Sequence, residues 1–516
     1  MMQETKKKFY VTTPIYYIND VPHIGHAYTT IGADVLARFK RMDGWDVFFL
    51  TGTDEHGQKI EKAAKERGLT PQQLTDQIVV RFQEAWKKLG ITYSRFIRTT
   101  EISHKRAAQM FFEKVFKNQF IYKGHYEGWY CLPDEKFLLP SEVINEKCPD
   151  CGRPVERLKE ENYFFSMSKF QNALTQYLEE HPEFVQPLSR KNELVNNFIK
   201  PGLTDVCITR SSVQWGIAAP VPEKSILYVW FDALINYLSG IGWPDDLETF
   251  HRYWPADVHL IGKDILRFHA TLWPAMLLAA EIPLPKKVFG TGFITMNGQK
   301  MSKSLGNVID PLAIADQYSP DALRYFLLRE IPFGVDGDFS MESFQLRFNG
   351  DLANDLGNLI HRSLSMLERY FDGVIPENPN PSPAETELKT LATQYATQAR
   401  LQIEEMAFPA ILTLIWTLVK RANKYIEDSA PWKVAADSAQ RARLQTILYT
   451  LMEVLRVVAL ALAPFMPFTA ESIWSQLGFS DSIFNHGLEE TEEWAKIPSG
   501  QKISKKNPLF PRIDRS

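Results

Sequence analysis

Within its first fifty residues the chain reads as strand, glycine-containing loop, helix, strand, and few folds accept that order. Residues 9–15 form a short run suited to a buried strand, and Ala27, Ile31, Val35 and Phe39 then recur at four-residue spacing. Gly44 ends that helix and residues 46–50 give a second strand, so the unit closes as a parallel α/β crossover of the mononucleotide-binding kind. A further helix carries its own start signals, with Thr70 as N-cap, Pro71 in the first position and Gln73 as capping-box partner, and it stops at Gly90. Between residues 122 and 224 the pattern turns irregular, with clustered Cys, Gly and Pro, which predicts an insertion. Strand-like segments at 226–231 and 258–261 then resume the sheet. After about Phe344 the apolar residues recur at helical spacing, as at Leu352, Leu356, Leu359, Ile360 and Leu367 and again at Leu444, Leu448, Leu451 and Leu455. The last third is therefore predicted to be a helix bundle, with Pro376, Pro379, Pro381 and Pro383 marking an exposed connection.

Bulk properties narrow the function classes. At 516 residues the chain accommodates two to four domains. Its 45% apolar and 23% charged residues point to neither disorder nor fibre. The most apolar stretch, at 457–468, is interrupted by Pro464 and Pro467 and falls short of the ~20 residues of a membrane span, so no membrane partner is expected. Lys6, Lys7 and Lys8 are followed by a strand-like segment and not by an apolar signal core, which places the chain in the cytoplasm. A net charge of −4 argues against indiscriminate nucleic-acid binding, although residues 286–309 hold four lysines and no acid.

Two motifs carry chemistry. Pro22-His23-Ile24-Gly25-His26 falls between the first strand and first helix, where backbone N–H groups and the helix dipole favour a phosphate. Both imidazoles can donate to one anion, and Gly25 leaves room for a flat purine or ribose. Alone, the motif also fits an ordinary loop with two surface histidines. The second motif changes that weighing. Lys300-Met301-Ser302-Lys303-Ser304, between Gly298 and Gly306, puts two lysines on a hinged segment able to close on a triphosphate and neutralise charge as the bond to the α-phosphate breaks. A third pattern, Cys131-x2-Asp134 and Cys148-x2-Cys151, is spaced like two halves of a zinc knuckle in a reducing compartment. A Cys3Asp set can hold zinc, and three buried thiols can also pack without metal. Cys207 reads as plain core.

The two motifs are the HIGH and KMSKS signatures of class I aminoacyl-tRNA synthetases, unaltered, and residues 11–17 (VTTPIYY), 51–57 (TGTDEHG), 228–237 (YVWFDALINY) and 262–274 (GKDILRFHATLWP) resemble active-site segments of the methionyl-tRNA synthetase family. Residues 354–362 and Ala430-Pro431-Trp432 do so too, and the likeness runs from residue 9 to the final PLFPRID. The resemblance implies an α/β Rossmann-like parallel-sheet domain (1–121 and 225–288) split by a knuckle-bearing connective insertion (122–224). A KMSKS-bearing linker fold (289–345) and an all-α anticodon-binding domain (346–516) follow. It implies a methionine–tRNA ligase that uses ATP with Mg2+ and tRNA(Met) as partner, with His23, Gly25, His26 and Lys303 on ATP and Lys300 assisting. It puts Ile15, Tyr17, Trp230, Ala233, Tyr237, Phe268, His269 and Trp273 around the methionine side chain, a set suited to a flexible thioether, and Asp54 against its ammonium. Family members that bind zinc usually have Cys or His where this chain has Asp134. Asn354, Asn358 and Arg362, at four-residue spacing, form a polar stripe beside the apolar sector of one helix, and with Trp432 in a loop they are expected to read the anticodon. With no appended nucleic-acid-binding barrel after Ser516, a monomer is expected.

Rival readings are a class I synthetase for another apolar amino acid, a non-catalytic binding module on the same fold, and a nucleotidylyltransferase. The first lacks support from a large editing insertion, the second would show degenerate signatures, and the third leaves the helix bundle without work.

Overall fold

The structure, a computed structural model, describes residues 6–18, 21–132, 136–138, 142–149, 151–301, 308–377 and 383–513. Its centre is a six-stranded sheet in the order Arg95–Arg98, Asp46–Asp54, Lys8–Tyr17, Val258–Gly262, Val288–Thr291, Val185–Gln186, every pair parallel. We call Lys8–Tyr17 β1, Asp46–Asp54 β2 and Arg95–Arg98 β3. The chain runs outward from β1 through β2 to β3 and later returns to β1's other side, so a switch point lies between β1 and Val258–Gly262. In open sheets of this kind ligands bind beyond the carboxyl ends of the strands at that point.

The residues explain the layering. Along β1 Phe9 and Val11 face one core while Tyr10 faces the other, the period-two alternation of a strand buried on both faces. Pro14 has no N–H for the ladder, and the β1–β2 register shifts between Thr12 and Ile15. That bulge re-aims the last residues of β1 at the switch point. On one face pack α1 (Ile24–Met42), α3 (Pro71–Lys88) and the helix Pro320–Glu330, continuous with the carboxyl-terminal bundle. Helix α2 (Gln58–Glu66) precedes α3, and the Thr70–Gln73 capping box and the turn at Gly90 are as the sequence predicts. The other face packs α4 (Ile102–Lys117), the helices Val229–Leu234 and Trp273–Ala279, and part of the insertion.

One strand expectation fails. Residues 226–231 do not join the main sheet: Ile226–Leu227 pairs antiparallel with Thr209–Arg210, and Val229–Leu234 is a helix. A short, wholly buried apolar run has no wet face to reveal its period, so strand and helix look alike in sequence. The insertion holds a four-stranded antiparallel sheet built on Ile121–Cys131 and Glu156–Phe165, and it also sends Val185–Gln186 back to the edge of the main sheet. A small sheet of Ile294–Met296, Gln299–Lys300 and Gly337–Phe339 follows Val288–Thr291. The regular elements of the bundle are helices, followed by an irregular tail from which Lys502 forms a β-bridge with Val374, and its helix Arg441–Leu462 belongs to a segment, residues 438–462, long and apolar enough to cross a membrane. Its most apolar window is 94% buried inside the protein, as a core helix should be.

These parts meet at one buried guanidinium. Arg324, on Pro320–Glu330, donates to Asp34 Oδ2 of α1 at 2.8 Å and to the carbonyls of Leu89, Pro464 and Phe465 at 3.1, 3.0 and 2.8 Å. Asp34 also receives Arg38 and the Thr92 N–H and hydroxyl. Burial opposes its ionisation, yet the two guanidiniums and Thr92 hold its carboxyl below the ordinary range. Beside it Asp321 accepts the Thr469 N–H at 2.6 Å and so caps the bundle helix Pro467–Gln476, while its other oxygen is buried without a hydrogen-bond partner.

Burial pushes the Asp321 carboxyl up from 3.8 to about 6. The folded chain therefore holds that proton more tightly than the unfolded one, a contribution that is present below the unfolded value and lost as pH rises through about 6. Asp321→Asn should match the parent in Tm near pH 4 and unfold roughly 1–3 °C higher near pH 7.5. Equal melting temperatures at both pH values would show that the buried carboxylate carries no penalty.

Candidate active site

At the carboxyl ends of β1 and β2 the chain enters α1 through His23, whose extended backbone (φ −117°, ψ 173°) makes it the N-cap. The Gly25 N–H donates to His23 Nδ1 at 3.1 Å and the His23 N–H donates to His26 Nδ1 at 3.4 Å, a capping box built from two imidazoles. Each ring accepts through Nδ1, so each carries its proton on Nε2 and keeps that N–H for something else. The rings stack at 3.7 Å and 22°. Burial lowers His23 below the ordinary histidine value and, with His23 adjacent, lowers His26 well below it. Both are neutral donors at the positive end of a nineteen-residue helix. A Cβ on Gly25 would lie 3.0 Å from His23 Cε1, so the glycine is needed by the cap as well as by any ligand.

The residues on either side of the second motif are held in place. Asn297 and Gly298 both have positive φ (51° and 74°) in a two-residue hairpin turn, for which Asn-Gly is the favoured pair. Gly298 N–H and the Thr295 hydroxyl donate to Asp338 Oδ1 at 2.7 and 2.6 Å, fixing the turn. Gln299–Lys300 leaves the turn as a strand, its Lys300 backbone paired with Thr295. Lys303 lies outside the described residues. Beyond it, the Ile24 N–H donates to the Ile309 carbonyl at 3.3 Å, which ties residue 309 to the first turn of α1.

Across the switch point stands an aromatic wall. Trp230 stacks on Phe268 at 4.0 Å and 9°, both half-buried, and His269 meets Trp230 edge-on at 6.2 Å. His269 Nδ1–H donates to the Ile265 carbonyl at 3.0 Å, leaving Nε2 to accept the Tyr237 hydroxyl at 2.7 Å. Trp273 Nε1–H reaches His259 Nε2 at 3.4 Å, and His259 Nδ1 bonds the Thr12 hydroxyl at 2.7 Å. Burial drives His269 down to about 4 and His259 well below its usual value, so this wall is uncharged. Tyr237 and Trp273 are fully buried behind Ala233, His269 and the stacked pair. Ile15 and Tyr17 end β1 half-buried, and Asp54 ends β2, only 8% exposed.

Sequence reasoning passed over a neighbouring network. Asp232, four residues before Asn236 within the same apolar run, bonds His56 Nδ1 through Oδ2 and His104 Nε2 through Oδ1, each at 2.7 Å. His104 Nδ1 meets the Ser239 hydroxyl at 2.8 Å. A charged residue inside the run YVWFDALINY was the available signal, since a buried carboxylate needs partners.

In the insertion the Sγ atoms of Cys131, Cys148 and Cys151 lie within 4.8 Å of one another, with Cys131 and Cys151 at 3.5 Å. Asp134 lies outside the described residues. Three convergent thiols fit a tetrahedral zinc site with one further ligand. Cys207 is core, its thiol pushed up to about 12 by burial.

In the bundle, Asn354 ends its stripe position inside a π-helical stretch, Phe348–Gly357, and accepts from Arg512 Nε at 3.0 Å. Asn358 is exposed at the start of Asn358–Phe371, and Leu352, Leu356, Leu359 and Ile360 are buried as the pattern predicts. Arg362 pairs with Glu427 at 2.7 Å and stands 6.0 Å from the Trp432 ring. Trp432 is not in a loop: Ala430 turns into the left-handed region and Pro431 opens a one-turn helix, Pro431–Val434, which leaves the indole 42% exposed.

Comparison with known proteins agrees with this geometry. The family described as "tRNA synthetases class I (M)" matches residues 9–157 and 140–364, and "Anticodon-binding domain of tRNA ligase" matches 387–507. Methionine–tRNA ligases of Caldanaerobacter subterraneus subsp. tengcongensis and Clostridium acetobutylicum are each 49% identical over 510 residues, covering 99% of this chain and 79% of theirs. The solved methionyl-tRNA synthetase of Mycobacterium tuberculosis in complex with methionyl-adenylate superposes with a TM-score of 0.94 at 41% identity, covering 98% of this chain and all of that one. With paired imidazole donors at a switch point, an aromatic wall facing them and matches along nearly its whole length, the chain belongs to the methionyl-tRNA synthetase family of class I tRNA synthetases.

Proposed function

We propose that this chain joins L-methionine to tRNA(Met) in two steps at the switch-point site. The methionine carboxylate attacks the α-phosphate of ATP in line, and pyrophosphate leaves with Mg2+. The 2′-hydroxyl of the terminal tRNA adenosine then attacks the adenylate carbonyl and AMP departs. No bond to the enzyme forms, so positioning and charge stabilisation carry the rate.

The observation that carries this reading is the reciprocal histidine cap, which commits both Nε2–H groups of His23 and His26 to an acceptor beyond the helix. Neutral donors suit a phosphate that gains charge as the reaction proceeds, and Gly25 leaves the backbone open beside them. Lys300 and Lys303 then supply positive charge as pyrophosphate separates. Asp54 faces the ammonium, while Ile15, Tyr17, Trp230, Ala233, Tyr237, Phe268, His269 and Trp273 form the walls for the thioether. We assign the anticodon to Asn354, Asn358, Arg362 and Trp432. Cys131, Cys148 and Cys151, with Asp134 as fourth ligand, would hold a structural zinc that supplements a core of only four buried residues. We expect a monomer acting in the cytoplasm without a membrane partner.

Methionine-dependent ATP–pyrophosphate exchange tests the assignment, and exchange stimulated by another apolar amino acid in preference would overturn it. Lys303→Ala is expected to slow single-turnover adenylate formation by about a hundredfold or more while the methionine Kd stays within roughly threefold, because its charge acts in the transition state. Normal activation would remove Lys303 from the mechanism. Trp432→Ala and Asn358→Ala should each lower kcat/KM for tRNA aminoacylation about ten- to a hundredfold, the scale of one lost base stack or base contact, with exchange unchanged. Loss of both activities together would make Trp432 a structural residue. Elemental analysis should find about one zinc per chain, and a value near zero would mean that the three thiols pack without metal.

A further inference from the structure

Four hydrogen-bonding groups from four separate segments converge behind the proposed methionine pocket. Asp232 sits in Val229–Leu234, the helix that also carries Trp230 and Ala233. His56 follows the end of β2 by two residues, and β2 ends in Asp54. His104 lies in the first turn of α4, and Ser239 closes the short helix Asn236–Ser239. Asp232 and His104 are fully buried and His56 is 2% exposed. Burial opposes a charge on Asp232, yet His56 and His104 hold its carboxyl at about 2.

The protons can be placed. A carboxylate accepts only, so His56 donates through Nδ1 and His104 through Nε2. The other nitrogen, His104 Nδ1, bonds the Ser239 hydroxyl at 2.8 Å. The His56 ring is also held from its other side, edge-on to Trp215 at 5.6 Å, and Trp215 Nε1–H donates to the Glu55 carbonyl at 2.6 Å. His56 is thus held by one hydrogen bond and one ring contact. Asp232 is held as well, because both its oxygens are engaged.

We propose that Asp232 is a positioning residue for the amino acid: gripped by His56 and His104, it fixes the spacing between the strand end that bears Asp54 and the helix that bears Trp230 and Ala233. That spacing is the distance from the ammonium of the substrate to the wall around its side chain. One methylene is worth only ~1–3 kcal/mol in such a pocket, so discrimination depends on the two walls staying where they are. The inference rests on the assignment of methionine to this pocket.

The test uses the full-length enzyme in the exchange assay, with methionine KM, ATP KM and kcat measured separately. Asp232→Ala leaves two buried N–H groups without acceptors and should raise the methionine KM about tenfold or more, with the ATP KM within roughly threefold. Asp232→Asn, which keeps an acceptor for one imidazole and can donate to the other, should recover most of the loss. Should Asp232→Ala fail to fold, a pair at His104 carries the test: His104→Gln places an N–H where Nε2 stood and keeps the bond to Asp232, whereas His104→Asn places one where Nδ1 stood and loses it. Methionine KM should rise in His104→Asn and return toward the parent value in His104→Gln. A folded Asp232→Ala enzyme with unchanged methionine KM, equal rises in both KM values, or no difference within the His104 pair would overturn the proposal. Absence of methionine-dependent exchange in the parent enzyme would instead refute the pocket assignment itself.

Discussion

The architecture hangs on a charge that has no access to water. Arg324 is fully buried and satisfies its guanidinium with one carboxylate and three carbonyls drawn from three places in the chain. Removing one partner from such a group costs on the order of 3–5 kcal/mol, because the remaining charge cannot be rehydrated. The helix that begins with the paired histidines, the helix after the lysine segment and the corner of the bundle at Pro464 are therefore held in one arrangement. Hydrophobic contact alone would press these surfaces together, yet it has no direction. The guanidinium supplies direction, since each donor must meet its own acceptor.

At the site itself the controlling feature is the absence of net charge on the histidines. Four imidazoles surround the switch point, and burial keeps His23, His26, His259 and His269 below their usual values. Two face the helix terminus as donors, and two lock the aromatic wall through Tyr237 and Trp273. The positive charge that we propose for the chemistry comes from lysines of a separate segment, not from these imidazoles. Fixed dipoles on rigid elements can stabilise a phosphate without bringing in a charge.

Much of this was legible before any coordinates. The opening crossover, the Thr70 capping box and the bundle's apolar stripes follow from local pattern, and local pattern is what a sequence displays. The motifs placed His23 and His26 correctly at a strand-to-helix junction, although their reciprocal capping depends on ring orientation and could not be read. The strand expected at residues 226–231 does not join the main sheet, and from Val229 on it is a helix, because a short and mostly buried apolar run shows no polar period. The Asp232 network was invisible for a different reason: its partners lie 128 and 176 residues away, and nothing in the spacing of His56 or His104 announces a shared carboxylate. Trp432 was assigned to a loop because one turn of helix is too short to establish a periodicity.

The position of Arg324's acceptors has a consequence for how the chain comes off the ribosome. Leu89 and Asp34 are made early, but the Pro464 and Phe465 carbonyls arrive some 140 residues after the arginine itself. Until they do, the guanidinium has no complete set of acceptors, and the helix Pro320–Glu330 lacks the bundle helices that pack against it. The segment that finally brings them, Arg441–Leu462, is itself apolar enough to resemble a membrane span while it is in transit. Domains commonly close one after another during synthesis. Here a nascent chain interrupted before residue 464 leaves the guanidinium with two of its four acceptors, a charge that must stay in water until the last stretch is made.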